Sequence, residues 1–121
     1  MRIAVTSQGS TLDSQVDPRF GRAAWFVVAD PESMEFEAVG NPNASAGGGA
    51  GVQAAQAVAD RNATAVLTGN CGPKAFVVLE EAGIQVFTGA SGTVREALGS
   101  YRSGALSATV KPPARGHFGP N

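Results

Sequence analysis

The sequence predicts an α/β protein: a mixed sheet of five strands in the order 3-2-1-4-5, covered by helices. The first half holds two apolar runs joined by a short Pro-containing turn, which predicts an antiparallel hairpin. In the second half, short apolar runs alternate with segments of helical composition, which predicts β-α-β units with parallel strands. The length of 121 residues suits a single domain with its own core.

The first strand is predicted at IAVTS (3–7), a run rich in β-branched residues that reads as buried on both faces. Two further strands are predicted at 23–30 and 35–40, on either side of a turn at Asp30-Pro31-Glu32-Ser33. Proline at the second turn position presets φ for the bend. These two strands are expected to form the hairpin.

The third strand is predicted to lie at a sheet edge. Phe36 and Ala38 alternate there with Glu35 and Glu37, so one face of the strand is polar. Charged side chains of this kind are typical of edge strands.

Three helices follow a Gly-rich loop. The first covers AGVQAAQAVADRNA and stops near Asn62, a residue that tolerates the left-handed conformation of a helix end. The second begins at Pro73 and is closed by Gly83. The third is predicted by a capping box at Thr93 and Glu96, followed by apolar residues at helical spacing.

The last two strands are predicted at 65–68 and 84–88, each between two of these helices. With the first strand at the centre, the antiparallel hairpin and the parallel β-α-β units make strands 1, 3, 4 and 5 point the same way. Ligand sites of open α/β sheets lie at the carboxyl ends of the strands. That rim is expected to gather the N-termini of all three helices and the loops 7–22, 41–51, 69–73 and 88–92.

Residues 1–103 are predicted to form the domain, and residues 104–121 a flexible tail rich in Pro and Gly. The net charge of −1 gives no overall basic field to attract nucleic acid or an anionic membrane. A single cysteine cannot form an internal disulfide, and the N-terminus has no long apolar stretch. A cytoplasmic location is therefore expected.

The predicted rim suits an anion. Helix N-termini offer unpaired N–H groups and about half a positive charge each, and Arg19, Arg22 and Lys74 add cations nearby. Each of these three residues is equally well explained as an ordinary surface cation. Convergence of several termini, rather than one alone, would make the site.

The stretch GAGVQA (49–54) fits a G-x-G-x-x-A pattern but is a weak nucleotide signal. No strand ends directly before it, no acidic residue follows at the distance needed for a ribose, and no Gly-Lys-Ser/Thr follows for a phosphate loop. A glycine loop that begins a helix is the simpler interpretation.

Cys71 lies between the fourth strand and the second helix, where the helix N-terminus is expected to lower its pKa. That position suits a soft-metal ligand or a redox-sensitive thiol, while burial as a small core residue explains it equally well. The only histidine, His117, falls in the predicted tail, so a nucleophile would lack a base. Asp13 and Asp17 share one loop and form no two-metal site. No active site is predicted.

Several segments, in this order, resemble the dinitrogenase iron-molybdenum cofactor biosynthesis family, including the orange proteins of sulfate-reducing bacteria. The resemblance spans residues 1 to about 101. Its most specific part is V-D-x-R-F-G-R combined with G-N-x-G-P-x-A-F at the right separation. The segments are LDSQVDPRFGRAAWFVVAD, GGGAGVQAAQAVAD and TGNCGPKAFVVLEEAGIQVFTGASGTVREAL.

The resemblance implies a three-layer, ribonuclease H-like fold with helices on both faces and without nuclease activity. It implies a non-enzymatic carrier of a metal–sulfur cluster: an iron-molybdenum cofactor precursor, or a molybdenum–copper sulfide as in the orange proteins. Relatives often carry an apolar residue in place of Cys71, so cluster binding across the family does not rest on that thiol.

The principal hypothesis is thus a carrier of an anionic molybdenum-containing cluster at the rim. Cys71 and His117 are its optional metal ligands. The alternative is a protein-interaction or regulatory module that partners an ATPase, and a nucleotide-dependent enzyme ranks last. The cluster-binding residues predicted for the carrier are Arg19, Arg22, Gly48, Gly49, Gly51, Asn70, Cys71, Gly72, Lys74, Ser91 and Gly92.

Overall fold

The computed structural model of the protein describes residues 1–42 and 49–109. Six strands and three helices make up this part of the chain. In chain order they are β1 (Ile3–Ser7), β2 (Trp25–Ala29), β3 (Phe36–Gly40), α1 (Ala50–Asp60), β4 (Ala65–Leu67), α2 (Pro73–Glu81), β5 (Gln85–Phe87), α3 (Val94–Ser103) and β6 (Ala108–Thr109).

The strands form one mixed sheet in the order β3-β2-β1-β4-β5-β6. β1 pairs parallel with β4 and antiparallel with β2, and β4 pairs parallel with β5. The predicted order and directions of the first five strands are therefore confirmed. Because β1, β4 and β5 end at the same edge, the loops that follow them meet at one rim of the sheet.

The prediction of only five strands was wrong. β6 pairs antiparallel with β5, with Phe87 opposite Ala108 and Val86 opposite Thr109. A strand of two residues has no hydrophobic alternation that a sequence pattern can detect. Residues 104–109 of the predicted tail are thus structured in part, whereas 110–121 lie outside the described residues. The domain boundary at residue 103 stays a prediction.

Two hydrophobic cores lie on opposite faces of the sheet, because successive strand residues point to opposite sides. On one face, Ala4, Val28 and Val66 pack with side chains of α1 and α2. On the other face, Val5, Val27 and Leu67 pack with side chains of α3. Helices therefore cover both faces, as predicted, and the molecule has three layers.

The ends of the helices follow their sequence signals. Pro73 is the first residue of α2, and Gly83 follows its end with a φ of 79°. Asn62 takes the left-handed conformation, with a φ of 62°, just beyond the end of α1. Thr93 and Glu96 form the predicted capping box at the start of α3. No helix in the described ranges has the length and apolar character needed to cross a membrane.

We predict that β6 contributes to stability. A chain that ends at Gly104 loses β6 and the packing of Leu106 against the α3 core, whereas a chain that ends at Thr109 keeps both. Burial of part of a Leu side chain contributes about 1–2 kcal/mol. Urea unfolding of the two truncated chains should show the shorter one to be less stable by about that amount. Equal stability would mean that β6 adds nothing.

Candidate anion-binding site

A short segment after β1, residues 15–20, crosses the carboxyl ends of the strands, and we call it the rim strap. The Asp17 N–H donates to the Thr6 carbonyl at 2.9 Å, and the Thr6 hydroxyl donates to the Asp17 carbonyl at 2.7 Å. Farther along, the Phe20 N–H donates to the Asn70 carbonyl at 3.1 Å. The rim strap therefore joins the end of β1 to the loop that begins α2.

Two buried hydroxyl groups support the rim strap from below. Thr6 and Thr68 are both fully buried at the ends of β1 and β4, with their Oγ1 atoms 2.9 Å apart. The neighbouring Gly69 has no room for a side chain, since a Cβ there would lie 2.7 Å from the Pro18 Cα. The strap thus rests directly on the loop after β4.

A pocket of about 320 Å³ opens beside the rim strap, between the N-termini of α1 and α2, and we call it the rim pocket. This volume is at the lower end of the range for small-molecule sites, about 300–1,000 Å³. Eight of the described residues line it: Gly21, Gly49, Gly51, Val52, Gly72, Pro73, Lys74 and Ala75.

Glycines allow the three segments around the rim pocket to approach one another. A Cβ at Gly21 would lie only 2.8 Å from both the N and the Cα of Gly51. Gly49 has a φ of 92°, a conformation that other residues rarely adopt. The Asn41 side chain fixes the Gly21 turn, because its Nδ2 donates to the carbonyls of Gly21 (3.1 Å) and Ala23 (2.8 Å).

Backbone N–H groups of both helices are available at the rim pocket. The first intrahelical bonds run from Gln53 to Gly49 in α1 and from Phe76 to Gly72 in α2, so the N–H groups before them have no helical acceptor. Neither helix has a side-chain cap. In α1 these N–H groups belong to residues 50–52, and in α2 to residues 74 and 75.

The expectation that α3 would add a third free N-terminus was wrong. Glu96 Oε1 accepts from the Thr93 N–H at 2.9 Å, and the Thr93 hydroxyl accepts from the Glu96 N–H at 3.1 Å. The Val94 and Arg95 N–H groups donate to carbonyls at residues 14 and 12. The capping box that marks the helix in the sequence also occupies its donors. Ser91 and Gly92 are not among the residues that line the rim pocket.

The three predicted cations differ in their surroundings. Lys74 lines the rim pocket, and Arg22 follows the pocket residue Gly21. Both side chains are exposed, and neither forms an ion pair within the described part of the chain. Arg19 instead has its Nε 3.4 Å from Oδ1 of the buried Asp17, which partly balances its charge. Arg22 and Lys74 are therefore the stronger candidates for binding an anion.

Cys71 lies in the core rather than in the rim pocket. Its residue surface is 1% exposed, it belongs to the cluster under α1 and α2, and its Sγ is 3.6 Å from the Gly72 carbonyl. Burial raises the pKa of the thiol from 9.0 to about 11. The expected lowering of this pKa was wrong, because loss of water around the sulfur outweighs the helix N-terminus. At neutral pH the free thiol is therefore protonated, as is usual for a small residue packed in a core.

Two predicted site residues, Gly48 and His117, lie outside the described residues. Asn70 is exposed and contributes locally: its side-chain Oδ1 accepts from the Cys71 N–H at 2.9 Å. Within residues 1–42 and 49–109, no group of three His, Cys, Asp or Glu side chains is arranged to hold a metal ion.

Sequence patterns did not single out several residues that shape the site. Gly21 lies between Phe20 and Arg22 in the motif that the resemblance quotes, yet its close approach to Gly51 depends on the tertiary fold. The polar pair Thr6-Ser7 at the end of an otherwise apolar strand was the one local signal of the buried hydroxyl network.

Comparison with known proteins agrees with the fold. The family described as dinitrogenase iron-molybdenum cofactor matches residues 1–104. A solved structure, the apo form of the orange protein from Desulfovibrio gigas, is 45% identical with a TM-score of 0.89, and the match covers 93% of this chain and 96% of that one.

Two further relatives are more distant. An NMR structure from Thermotoga, described as a member of the DUF35 family, is 34% identical with a TM-score of 0.81, and covers 95% of this chain and 98% of its own. An uncharacterized protein of Methanocaldococcus jannaschii is 27% identical over 97 residues, which are 78% of this chain and 82% of that protein.

We predict that Gly21→Ala destabilises the protein by about 1–3 kcal/mol, because its Cβ would press on the backbone of Gly51. Gly99→Ala is a matched control. Gly99 is exposed within α3 with nothing near its missing Cβ, so alanine there should stabilise by about 0.4–1 kcal/mol. Urea unfolding of both variants checks this, and equal effects would contradict the close approach.

We also predict that Cys71 makes stability depend on alkaline pH. The thiol has a higher pKa in the folded chain than in the unfolded chain, so its contribution is complete below pH 9.0 and is lost as the pH rises towards about 11. Between pH 9.0 and about 11, the free energy of unfolding should fall more steeply with pH for the wild type than for Cys71→Ala. Parallel curves would show that the thiol titrates normally.

Proposed function

The chain belongs to the dinitrogenase iron-molybdenum cofactor family, and from this premise we propose that it is a non-enzymatic carrier of an anionic molybdenum-containing metal–sulfur cluster. The observation that carries the proposal is the convergence of two uncapped helix N-termini on the rim pocket. The cluster is the cargo, held at residues 21, 49–52 and 72–75.

Electrostatics support this cargo. Each helix N-terminus acts as about half a positive charge, and an exposed interaction with one terminus contributes roughly 0.3–1 kcal/mol. Two termini together with Arg22 and Lys74 form a local positive field in a chain whose net charge is −1. A polyanionic cluster gains from all four sources at once, whereas a singly charged anion gains less.

The lining of the rim pocket favours sulfide over oxyanions. Val52, Pro73 and Ala75 present apolar surface beside the backbone N–H groups. Bringing a charged group against apolar surface costs most when the group is strongly hydrated. Metal sulfides spread their charge over large, polarizable atoms and are less strongly hydrated than molybdate or phosphate. The free-energy cost of removing their water in the rim pocket is therefore smaller.

The described residues favour retention by charge and N–H donation rather than by a covalent metal bond. Cys71 is buried and protonated, so we propose no ligand role for it. A role for His117 stays a prediction, since that residue lies outside the described ranges. The resemblance implies a molybdenum–copper sulfide for the orange proteins, and this chain is 45% identical to one of them, so we propose that cluster ahead of an iron-molybdenum cofactor precursor.

We predict that the protein retains a coloured cluster after incubation with tetrathiomolybdate and copper followed by desalting. Arg22→Ala and Lys74→Ala should each weaken retention about fivefold, equivalent to ~1 kcal/mol for an exposed charge. Arg19→Ala should weaken retention less, because Asp17 already pairs with that guanidinium. Visible absorbance and molybdenum analysis of the desalted protein measure the effect.

Arg102→Ala is the control, since Arg102 is exposed in the last turn of α3, at the end of that helix away from the rim. If Arg22→Ala and Arg102→Ala lost cluster retention equally, the effect would come from net charge alone, which would contradict a localised site. A protein that is colourless after desalting, with no thermal stabilisation by tetrathiomolybdate, would contradict the carrier proposal and favour the interaction module.

A further inference from the structure

β3 forms one edge of the sheet in the described part of the chain. On its inner side, the Asp30 N–H donates to the Glu35 carbonyl at 2.9 Å, and the Asn41 N–H donates to the Ala24 carbonyl at 3.0 Å. In an antiparallel pair, every second residue of a strand bonds to the same neighbouring strand. The backbone N–H and C=O groups of residues 37 and 39 therefore also point towards β2. The N–H and C=O groups of Phe36, Ala38 and Gly40 therefore point outward, and no described strand pairs with them.

The sheet face of β3 that carries Phe36, Ala38 and Gly40 has no charged side chain within the strand. The strand contains no proline, and Phe36 is 43% exposed. Phe36, Ala38 and Gly40 share a sheet face with Trp25, whose ring lies 3.7 Å from the position of a Cβ on Gly40. The opposite edge of the sheet is β6, which offers only two residues. β3 is thus the longer open edge and carries an apolar row.

We propose that β3 pairs antiparallel with β3 of a second copy of this chain, about a two-fold axis at Ala38. In this register Ala38 lies opposite Ala38 of the second copy, and Phe36 lies opposite Gly40 of the second copy. Every outward N–H and C=O of the three edge residues then finds a partner, each pair exchanging two hydrogen bonds. The two six-stranded sheets become one continuous sheet.

The side chains select this register. Phe36 fills the space that the missing side chain of Gly40 leaves, beside the Trp25 ring that already borders it. Glu37 lies opposite Val39 and Glu35 opposite Asn41, so no like charges face each other directly. A shift that pairs Phe36 with Ala38 would place Glu37 directly against Glu37 of the second copy and would leave Gly40 unpaired.

The charge of Glu37 is also compensated within each copy. Its carboxylate pairs with the Arg2 guanidinium through one oxygen and with Arg61 Nη1 through the other, at 3.2 Å in the second case. β3 has only five residues, so pairing along this edge buries less surface than the roughly 800 Å² per partner of a standard interface. The dimer is therefore weak and depends on protein concentration.

This inference is independent of the proposed function. The rim pocket lies between α1 and α2, and none of its lining residues belongs to β3. Loss of the dimer should consequently leave cluster retention unchanged, and loss of retention should leave the dimer unchanged.

Sedimentation velocity of the full chain over a wide concentration range tests the dimer. We expect a reversible monomer–dimer equilibrium that Ala38→Pro abolishes, because proline removes the outward N–H at the axis yet is tolerated at an open edge. Ala38→Thr keeps this N–H and should still dimerise. A monomer at every concentration, or a dimer that persists in Ala38→Pro, would overturn the proposal.

Cross-linking provides a second test that does not depend on the folding of Ala38→Pro. In the Ala38→Cys variant the Cα atoms of the two new cysteines would be about 5.5 Å apart, close enough for a disulfide bond. In the Glu35→Cys variant each new cysteine would lie opposite residue 41 of the second copy. The two cysteines would therefore be six residues apart along the strand, roughly 20 Å. The buried Cys71 should not react. Mild oxidation should cross-link the first variant alone, and equal cross-linking of both would indicate random collision and refute the register.

Discussion

The rest of the site depends on the hydrogen bonds between the rim strap and the ends of β1 and β4. Asp17 exchanges two bonds with Thr6, and Phe20 donates to Asn70, so one short segment fixes the turn at Gly21 and the loop that begins α2. Without these bonds the strap would leave the sheet, and the close backbone approach at Gly21 would be lost. The rim pocket is therefore a consequence of how the chain crosses the strand ends, and its N–H donors are held in place before any anion arrives.

Charge is distributed unevenly over a chain that is nearly neutral overall. Arg2 and Arg61, which do not line the rim pocket, share the carboxylate of Glu37. At the rim pocket, Lys74 and the nearby Arg22 have no such partner among the described residues. Paired cations have part of their field cancelled, whereas unpaired ones add to the field of the helix termini. Net charge alone thus excludes a broadly basic surface but says nothing about a local one.

Features that depend on local sequence could be predicted, and those that depend on tertiary packing could not. Helix starts at Pro73 and Thr93, the hairpin, and the directions of five strands follow from caps, turns and crossover rules. The burial of Cys71 could not be predicted in this way, because it is set by how α1 and α2 pack over that loop. The same holds for β6, whose two residues become a strand only beside β5. At the site, the glycines and cations were recognisable by type, while the meeting of Gly49, Gly51, Gly72 and Lys74 at one pocket required the fold.

The geometry of the β3 edge limits what a dimer could do for a carrier. A two-fold axis at Ala38 makes the two β3 strands antiparallel, and β3 points in the same direction as β1 and β4. The carboxyl ends of these strands, and with them the two rim pockets, then lie at opposite ends of the joined sheet. In a dimer of this kind each copy would hold the proposed cluster with its own donors, and the dimer could not enclose one cluster between two rims. A cluster shared by two copies would instead need a contact of rim against rim, which this edge does not provide.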